Sequence, residues 1–181
     1  ALQMDVRTRR AEWITNGRVV VYTDGACRFN QNARLRRAGY GCFWGKGQAR
    51  NIARPLAGAV QTNQRAELQA VVAVLEVEER PVELRTDSKY VIRGAGKLVA
   101  LRQRGWLNVD NGDLWQRLDA LLAAREADSV AIVKVKGHAK WSEVEAGIVD
   151  LADKRGNDAA DVLARRGAAE HELDAGLVAK V

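Results

Sequence analysis

Arg18-Val-Val-Val-Tyr-Thr-Asp24 and Val82-Glu-Leu-Arg-Thr-Asp87 are the two stretches on which the fold turns. Both are rich in residues that suit a pleated surface, and both close on a Thr-Asp pair followed by Gly25 or Ser88. They read as strands. Between them, short strands are expected over residues 40–44 and 48–56, with Gly45-Lys-Gly47 as the turn, so that the first three strands form an antiparallel meander. A helix follows: Thr62 and Asn63 are good N-cap residues, and Leu68, Val71, Val72 and Leu75 recur at helical spacing before Pro81. A helical crossover of this kind lets the strands ending at Asp24 and Asp87 lie parallel, side by side.

Outward from this pair, residues 88–103 read as one or two short helices broken at Gly94 and Gly96. Residues 113–125 read as an amphipathic helix with Leu114, Leu118, Leu121 and Leu122 on one face. Residues 130–135 form a fifth expected strand, and 157–169 a last helix. The expected fold is therefore α/β, a five-stranded mixed sheet of three antiparallel strands and then parallel crossovers, flanked by helices. Residues 1–17 read as an irregular lead-in, 18–170 as the domain, and 171–181 as a tail.

A chain of 181 residues suffices for one domain with a real core. It carries 29 Lys and Arg against 23 Asp and Glu, a net +6, with a pI near 9.6. That balance suits a polyanionic partner without identifying it. Cys27 and Cys42 are too few for a disulfide framework or a zinc-ligand pattern, and are expected to be reduced thiols of an intracellular protein. Residues 1–10 hold no apolar core of a secretory signal, and no apolar run approaches the roughly 20 residues needed to span a bilayer, so no membrane role is expected.

Ligand sites of open α/β sheets lie beyond the carboxyl ends of the strands, which is where Asp24 and Asp87 would meet. Two carboxylates that close repel, and a hard divalent cation is the usual way to keep both ionised. Oxygen donors without a Cys or His cluster favour Mg²⁺ or Mn²⁺. Glu67 is expected in the first turn of its helix, where the dipole favours negative charge. Taken one at a time, each acid reads more readily as a solvated surface charge than as a ligand.

Four segments in order, Tyr22-Thr-Asp-Gly-Ala26, Gln61-Thr-Asn-Gln-Arg-Ala-Glu-Leu68, Thr86-Asp-Ser88 and Gly156-Asn-Asp-Ala-Ala-Asp-Val-Leu-Ala164, resemble the acidic motifs of type 1 ribonuclease H. Arg104-Gly-Trp106, Asp113-Leu-Trp-Gln-Arg-Leu-Asp119 and Lys134-Val-Lys-Gly-His138 look like further segments of that family, and the likeness spans about residues 18–170. The resemblance implies an endonuclease that hydrolyses the RNA strand of RNA–DNA hybrids and leaves 5′-phosphate and 3′-hydroxyl ends. It implies two Mg²⁺ ions, with Mn²⁺ as a substitute, held by Asp24, Glu67, Asp87 and Asp161. His138 matches the family's mobile histidine, which assists proton transfer or product release.

The same resemblance places Cys27, Asn30, Asn63 and Gln64 along the RNA strand, Thr62 and Asn111 at a phosphate of the DNA strand, and Lys89 facing the groove. Amides suit the RNA side because they donate and accept, as a 2′-hydroxyl does. Trp106 and Trp115 read as core residues rather than stacking platforms. One departure stands out: His138 and Asp161 are 23 residues apart, a longer interval than the family pattern. The insertion, about residues 140–155, leaves Asp153 and Asp158 open as rivals for the fourth carboxylate, with Asp161 the best fit to the motif. A hybrid-binding module that does not cut, and a resolvase- or integrase-type nuclease of related fold, are the other readings. The chain reads equally as a stand-alone monomer and as a domain of a larger polyprotein, such as a retroelement reverse transcriptase.

Overall fold

The computed structural model describes residues 3–4 and 12–171. In chain order the elements are β1 (Gln3–Met4), β2 (Trp13–Thr15), β3 (Arg18–Arg28), β4 (Arg37–Phe43), β5 (Ile52–Pro55), α1 (Asn63–Val77), β6 (Val82–Thr86), α2 (Lys89–Ala95), α3 (Leu98–Gln103), α4 (Gly112–Ala123), β7 (Val130–Lys134), α5 (Trp141–Glu145) and α6 (Leu151–Ala169). β3 is the axis of the sheet. It pairs antiparallel with β4, on which β5 is laid, and parallel with β6, which pairs parallel with β7. The expected mixed sheet with flanking helices is therefore what forms.

Two differences concern the ends. The sheet has seven strands rather than five, because β1 and β2 add to β3 from a segment expected to be irregular. Asn16 and Gly17 explain this: both take positive φ (48° and 73°), the conformation of the tight hairpin turn that joins Thr15 to Arg18. Glu12, ahead of β2, is buried and paired with Arg80, so the fold starts before residue 18. Residues 1–2, 5–11 and 172–181 of the expected lead-in and tail lie outside the described residues. At the other end α6 begins at Leu151 rather than at 157, so the insertion is the short helix α5 followed by the first turns of α6.

The two faces of the sheet bury different things. Val19, Val21, Val82 and Leu84 point toward α1 and α4, where Leu68, Val71, Val72, Leu114, Trp115 and Leu118 complete the main core. Val20 and Tyr22, on the alternate face, pack with Ala160 of α6, beside Trp13 and Phe43. This second layer is thin because α6 lies backbone to backbone on β4. A Cβ on Gly41 would collide with the carbonyl of Ala160 and the amide of Ala164. That close approach carries Asp161 to the end of the sheet.

Candidate active site

The parallel pairing of β3 and β6 ends at Thr23 and Thr86, so Asp24 and Asp87 are the next residues on neighbouring strands. Asp24 is buried, and its Oδ1 accepts a hydrogen bond from the amide of Gly25 at 2.8 Å. Burial, and then the charges of Asp87, Asp161 and Glu67, push its carboxyl up to about 8, against the pull of that amide. Asp24, Glu67, Asp87, Asp161 and His138 all line one cavity of about 370 Å³, with Arg165 at its edge.

Each acid has its own support. α1 reaches the sheet end because Gly25 has no side chain: a Cβ there would stand 2.5 Å from the amide nitrogen of Glu67. Glu67 is not in the first turn, as the sequence suggested, but at the fifth helical position, past the reach of the free helix amides. Side chains hold it instead. Asn63 Nδ2 donates to Glu67 Oε1 at 2.7 Å, and Ser88 Oγ donates to Oε2 at 2.5 Å. Burial raises the Glu67 carboxyl, Ser88 opposes the rise, and Asp87 adds to it. Asn157 Nδ2 donates to Asp87 Oδ2 at 3.3 Å, while the buried Asn157 Oδ1 has no partner among the described residues. Arg165 Nε donates to Asp161 Oδ1 at 3.0 Å, one helical turn away.

The rivals for the fourth acid are elsewhere. Asp153 is bound to Tyr22 and Arg85, and Asp158 is paired with Lys154 and lines a different, apolar recess beside Phe43. Asp161 alone of the three faces Asp24. The insertion does not displace His138 either, because the extra residues fold after it.

A groove of about 540 Å³ shares Asn63, Glu67 and Asp87 with this cavity and adds Asn30, Thr62, Gln64 and Lys89. Five of the seven residues expected to bind substrate thus come together. Cys27 does not line the groove; its thiol points toward the carbonyls of Gln61 and Arg28, and burial raises it. Asn111 lies outside as well, in a left-handed conformation before α4, donating to Tyr90 Oη at 2.9 Å. Arg36 and Tyr90 also line the groove, and neither was among the residues expected to bind substrate. The groove runs on over Gln64, Lys89 and Tyr90 to Arg93, Lys97 and Arg104. Trp115 is in the core and Trp106 packs on it, as expected.

The RNase H family profile matches residues 16–169. The chain belongs to the RNase H family. It is 36% identical over 162 residues to the ribonuclease H of Phenylobacterium zucineum, an alignment that covers 84% of this chain and 91% of that protein. To the ribonuclease H of Rhodopseudomonas palustris strain BisB5 it is 38% identical over 165 residues, covering 86% and 95%. Among solved structures, the RNase H domain of PFV matches with a TM-score of 0.62 at 26% identity, over 83% of this chain and 93% of that one. The chain is thus a ribonuclease H, and the cavity at the end of β3 and β6 is its candidate active site.

Among the described residues no three carboxylate, imidazole or thiol groups stand close enough to hold one ion as they are now turned. Glu67 and Asp161 spend their oxygens on Asn63, Ser88 and Arg165. The donor set nonetheless fits a hard divalent cation. It offers four carboxylates and no thiol, and their mutual repulsion is what a cation relieves. Small side-chain rotations, with Arg165 released from Asp161, would bring the oxygens inward.

Proposed function

We propose that this ribonuclease H cuts the RNA strand of RNA–DNA hybrids at the carboxylate cavity, by hydrolysis that leaves 5′-phosphate and 3′-hydroxyl ends. The observation that carries the reading is the meeting of Asp24, Glu67, Asp87, Asp161 and His138 in one cavity that opens into an amide- and cation-lined groove. Asp24, Glu67, Asp87 and Asp161 would hold two Mg²⁺ ions, for which Mn²⁺ can substitute. When bound, such ions supply Lewis acidity, activating the attacking water and offsetting charge on the leaving oxygen.

The chain's own residues do the rest. Asn63 and Ser88 donate to Glu67 and Asn157 donates to Asp87, and these bonds fix how the two carboxylates stand at the cavity. A water oxygen bonds to the scissile phosphorus and releases a proton to solvent, the bond to the RNA 3′-oxygen breaks, and that oxygen takes up a proton. His138, which lines the cavity, would supply it. Asn30, Asn63 and Gln64 offer donors and acceptors to the 2′-hydroxyls that distinguish RNA, and Arg36 and Lys89 offer charge to the phosphates. A hybrid-binding module without activity would be expected to lack one of the four acids, and all four are here.

The test is a labelled hybrid, with duplex DNA and duplex RNA as controls, incubated with Mg²⁺, Mn²⁺ or EDTA. The parent should cut only the RNA of the hybrid, and only with metal. Asp87→Asn should be slower by about a thousandfold. An equally active Asp87→Asn overturns the site, and cleavage in EDTA overturns the mechanism.

A further inference from the structure

Asp153, in the part of α6 that the insertion adds, makes a part-buried contact with the sheet. Its Oδ1 accepts from Tyr22 Oη at 2.9 Å and from Arg85 Nη1 at 2.6 Å. The same guanidinium is held from its other side by Glu83 Oε1, at 2.8 Å from Nε and 2.7 Å from Nη2. The side chains of Asp153, Arg85 and Glu83 are only 19%, 11% and 8% exposed. Tyr22 packs directly on α6, where a Cβ on Gly156 would collide with its ring.

The placement of this network matters more than its strength. Tyr22 and Arg85 are register partners across the parallel pair β3–β6. Each stands two residues before a carboxylate, Asp24 or Asp87, and so on the same face of the sheet. On the helix, Asp153, Asn157 and Asp161 follow at intervals of four and share one face. That face meets the sheet step by step. Asp153 is anchored at the register of Tyr22 and Arg85, Asn157 donates to Asp87, and Asp161 reaches the cavity beside Asp24. The four acids crowded at this sheet end repel, and Asp161, carried by α6, is one that repulsion can push away. The guanidinium of Arg85, gripping Asp153 a single side-chain repeat below, opposes that push.

We propose that Asp153, with Tyr22 and Arg85, is a positioning device for Asp161: it holds α6 in the register at which the fourth carboxylate meets the other three. Buried ion pairs of this kind add less to stability than to geometry, because the cost of drying the charges offsets most of their attraction. The insertion that separates His138 from Asp161 therefore has a function, since it contributes the anchoring residue.

The proposal rests on the metal-dependent reading of the cavity, and its test separates the two. Mn²⁺ binding to Asp153→Asn, followed by calorimetry, should weaken about tenfold, and kcat on the hybrid at fixed subsaturating Mg²⁺ should fall to a similar degree while KM for the hybrid holds. The control is Glu12→Gln, which breaks another part-buried ion pair, with Arg80 in the turn between α1 and β6. It should lose stability yet keep the parent's Mn²⁺ affinity and kcat. Tyr22→Phe, which removes one hydrogen bond and keeps the ring, should weaken Mn²⁺ binding about threefold and carries the test if Asp153→Asn does not fold. Parent-like Mn²⁺ affinity in Asp153→Asn, or in Tyr22→Phe where it alone folds, overturns the proposal; so does an equal loss in Glu12→Gln. A parent that binds Mn²⁺ but leaves hybrids intact would instead overturn the cleavage reading, and the binding comparison would still stand.

Discussion

Gly25 and Glu67 touch through their backbones: a Cβ on Gly25 would lie 2.5 Å from the Glu67 amide nitrogen and 2.9 Å from the carbonyl carbon of Ala66. The obstacle is main chain, which cannot swing aside as a side chain would. Gly25→Ala must therefore push α1 away from β3 and take Glu67 with it. Overpacking at a rigid contact costs about 1–3 kcal/mol, and a shift of about 1 Å at a reacting centre costs about a hundredfold in rate. Urea denaturation and hybrid cleavage should show both losses together. A fully active Gly25→Ala would mean that the position of Glu67 is not critical.

The crowding of acids also sets a pH dependence for the protein without metal. The folded chain keeps a proton on Asp24 up to about 8, whereas an unfolded chain releases it near 3.9. Between those values the unfolded state binds fewer protons, so stability declines as pH rises. In EDTA, denaturation midpoints should therefore fall from pH 5 to pH 8 on account of Asp24. Added Mg²⁺ should restore stability most at the alkaline end, and Asp24→Asn should flatten the EDTA profile while abolishing cleavage. A midpoint that rises with pH in EDTA and is blind to Mg²⁺ would count against a cation site here.

How much of this was legible in the sequence follows from which forces are local. The strands ending at Asp24 and Asp87 announce themselves through β-branched residues and turn punctuation, and the ordered motifs lead to the four acids, His138 and most of the groove. What stays hidden depends on partners far along the chain. The alternation in Val82-Glu-Leu-Arg-Thr86 suggests Glu83 and Arg85 facing water, yet α6 covers that face and the two pair beneath it. Gly156 reads as a helix boundary, but it sits inside α6 because the ring of Tyr22 fills the space a side chain would need. Asn16-Gly17 is a local hairpin signal, masked because the flanking strands are so short. Ser88 and Asn157 can be seen as motif members, but not as the donors that steer Glu67 and Asp87.

A second buried acid answers pH in the opposite sense. Glu78 is 1% exposed and accepts from the Trp44 indole at 2.9 Å, while Arg80 and Arg50 pair with it. Burial opposes its ionisation, but Arg80, and then Trp44, hold its carboxyl down at about 2. Its folded value lies below the unfolded one near 4.3, so its contribution is present above that pH and is lost as pH falls toward 2. Glu78→Gln leaves Arg50 without its charge partner and Arg80 with Glu12 alone. It should cost about 3 kcal/mol at pH 7 by chemical denaturation, and the difference from the parent should shrink at pH 3. An unchanged difference at pH 3 would show that the loss is one of packing, not charge.

Past Lys89 the groove continues along a basic edge. Arg93, Lys97 and Arg104 line it, and none of them is paired with an acid among the described residues, whereas nearby Arg102 is tied to Asp119. Free cations beside a nucleic-acid groove act on phosphates, and each phosphate neutralised releases counterions that make binding depend on salt. Replacing Lys97 and Arg104 together by Ala should raise KM for the hybrid, leave kcat unchanged, and reduce the log–log dependence of KM on salt by about 1 for each phosphate no longer neutralised. Neutralising Arg102 with Asp119 intact should do less, because that charge is already spent. Cleavage measured from low to physiological salt decides it. A slope that does not move would place the duplex on another path across the surface, and would confine substrate binding to the groove beside Asn63 and Gln64.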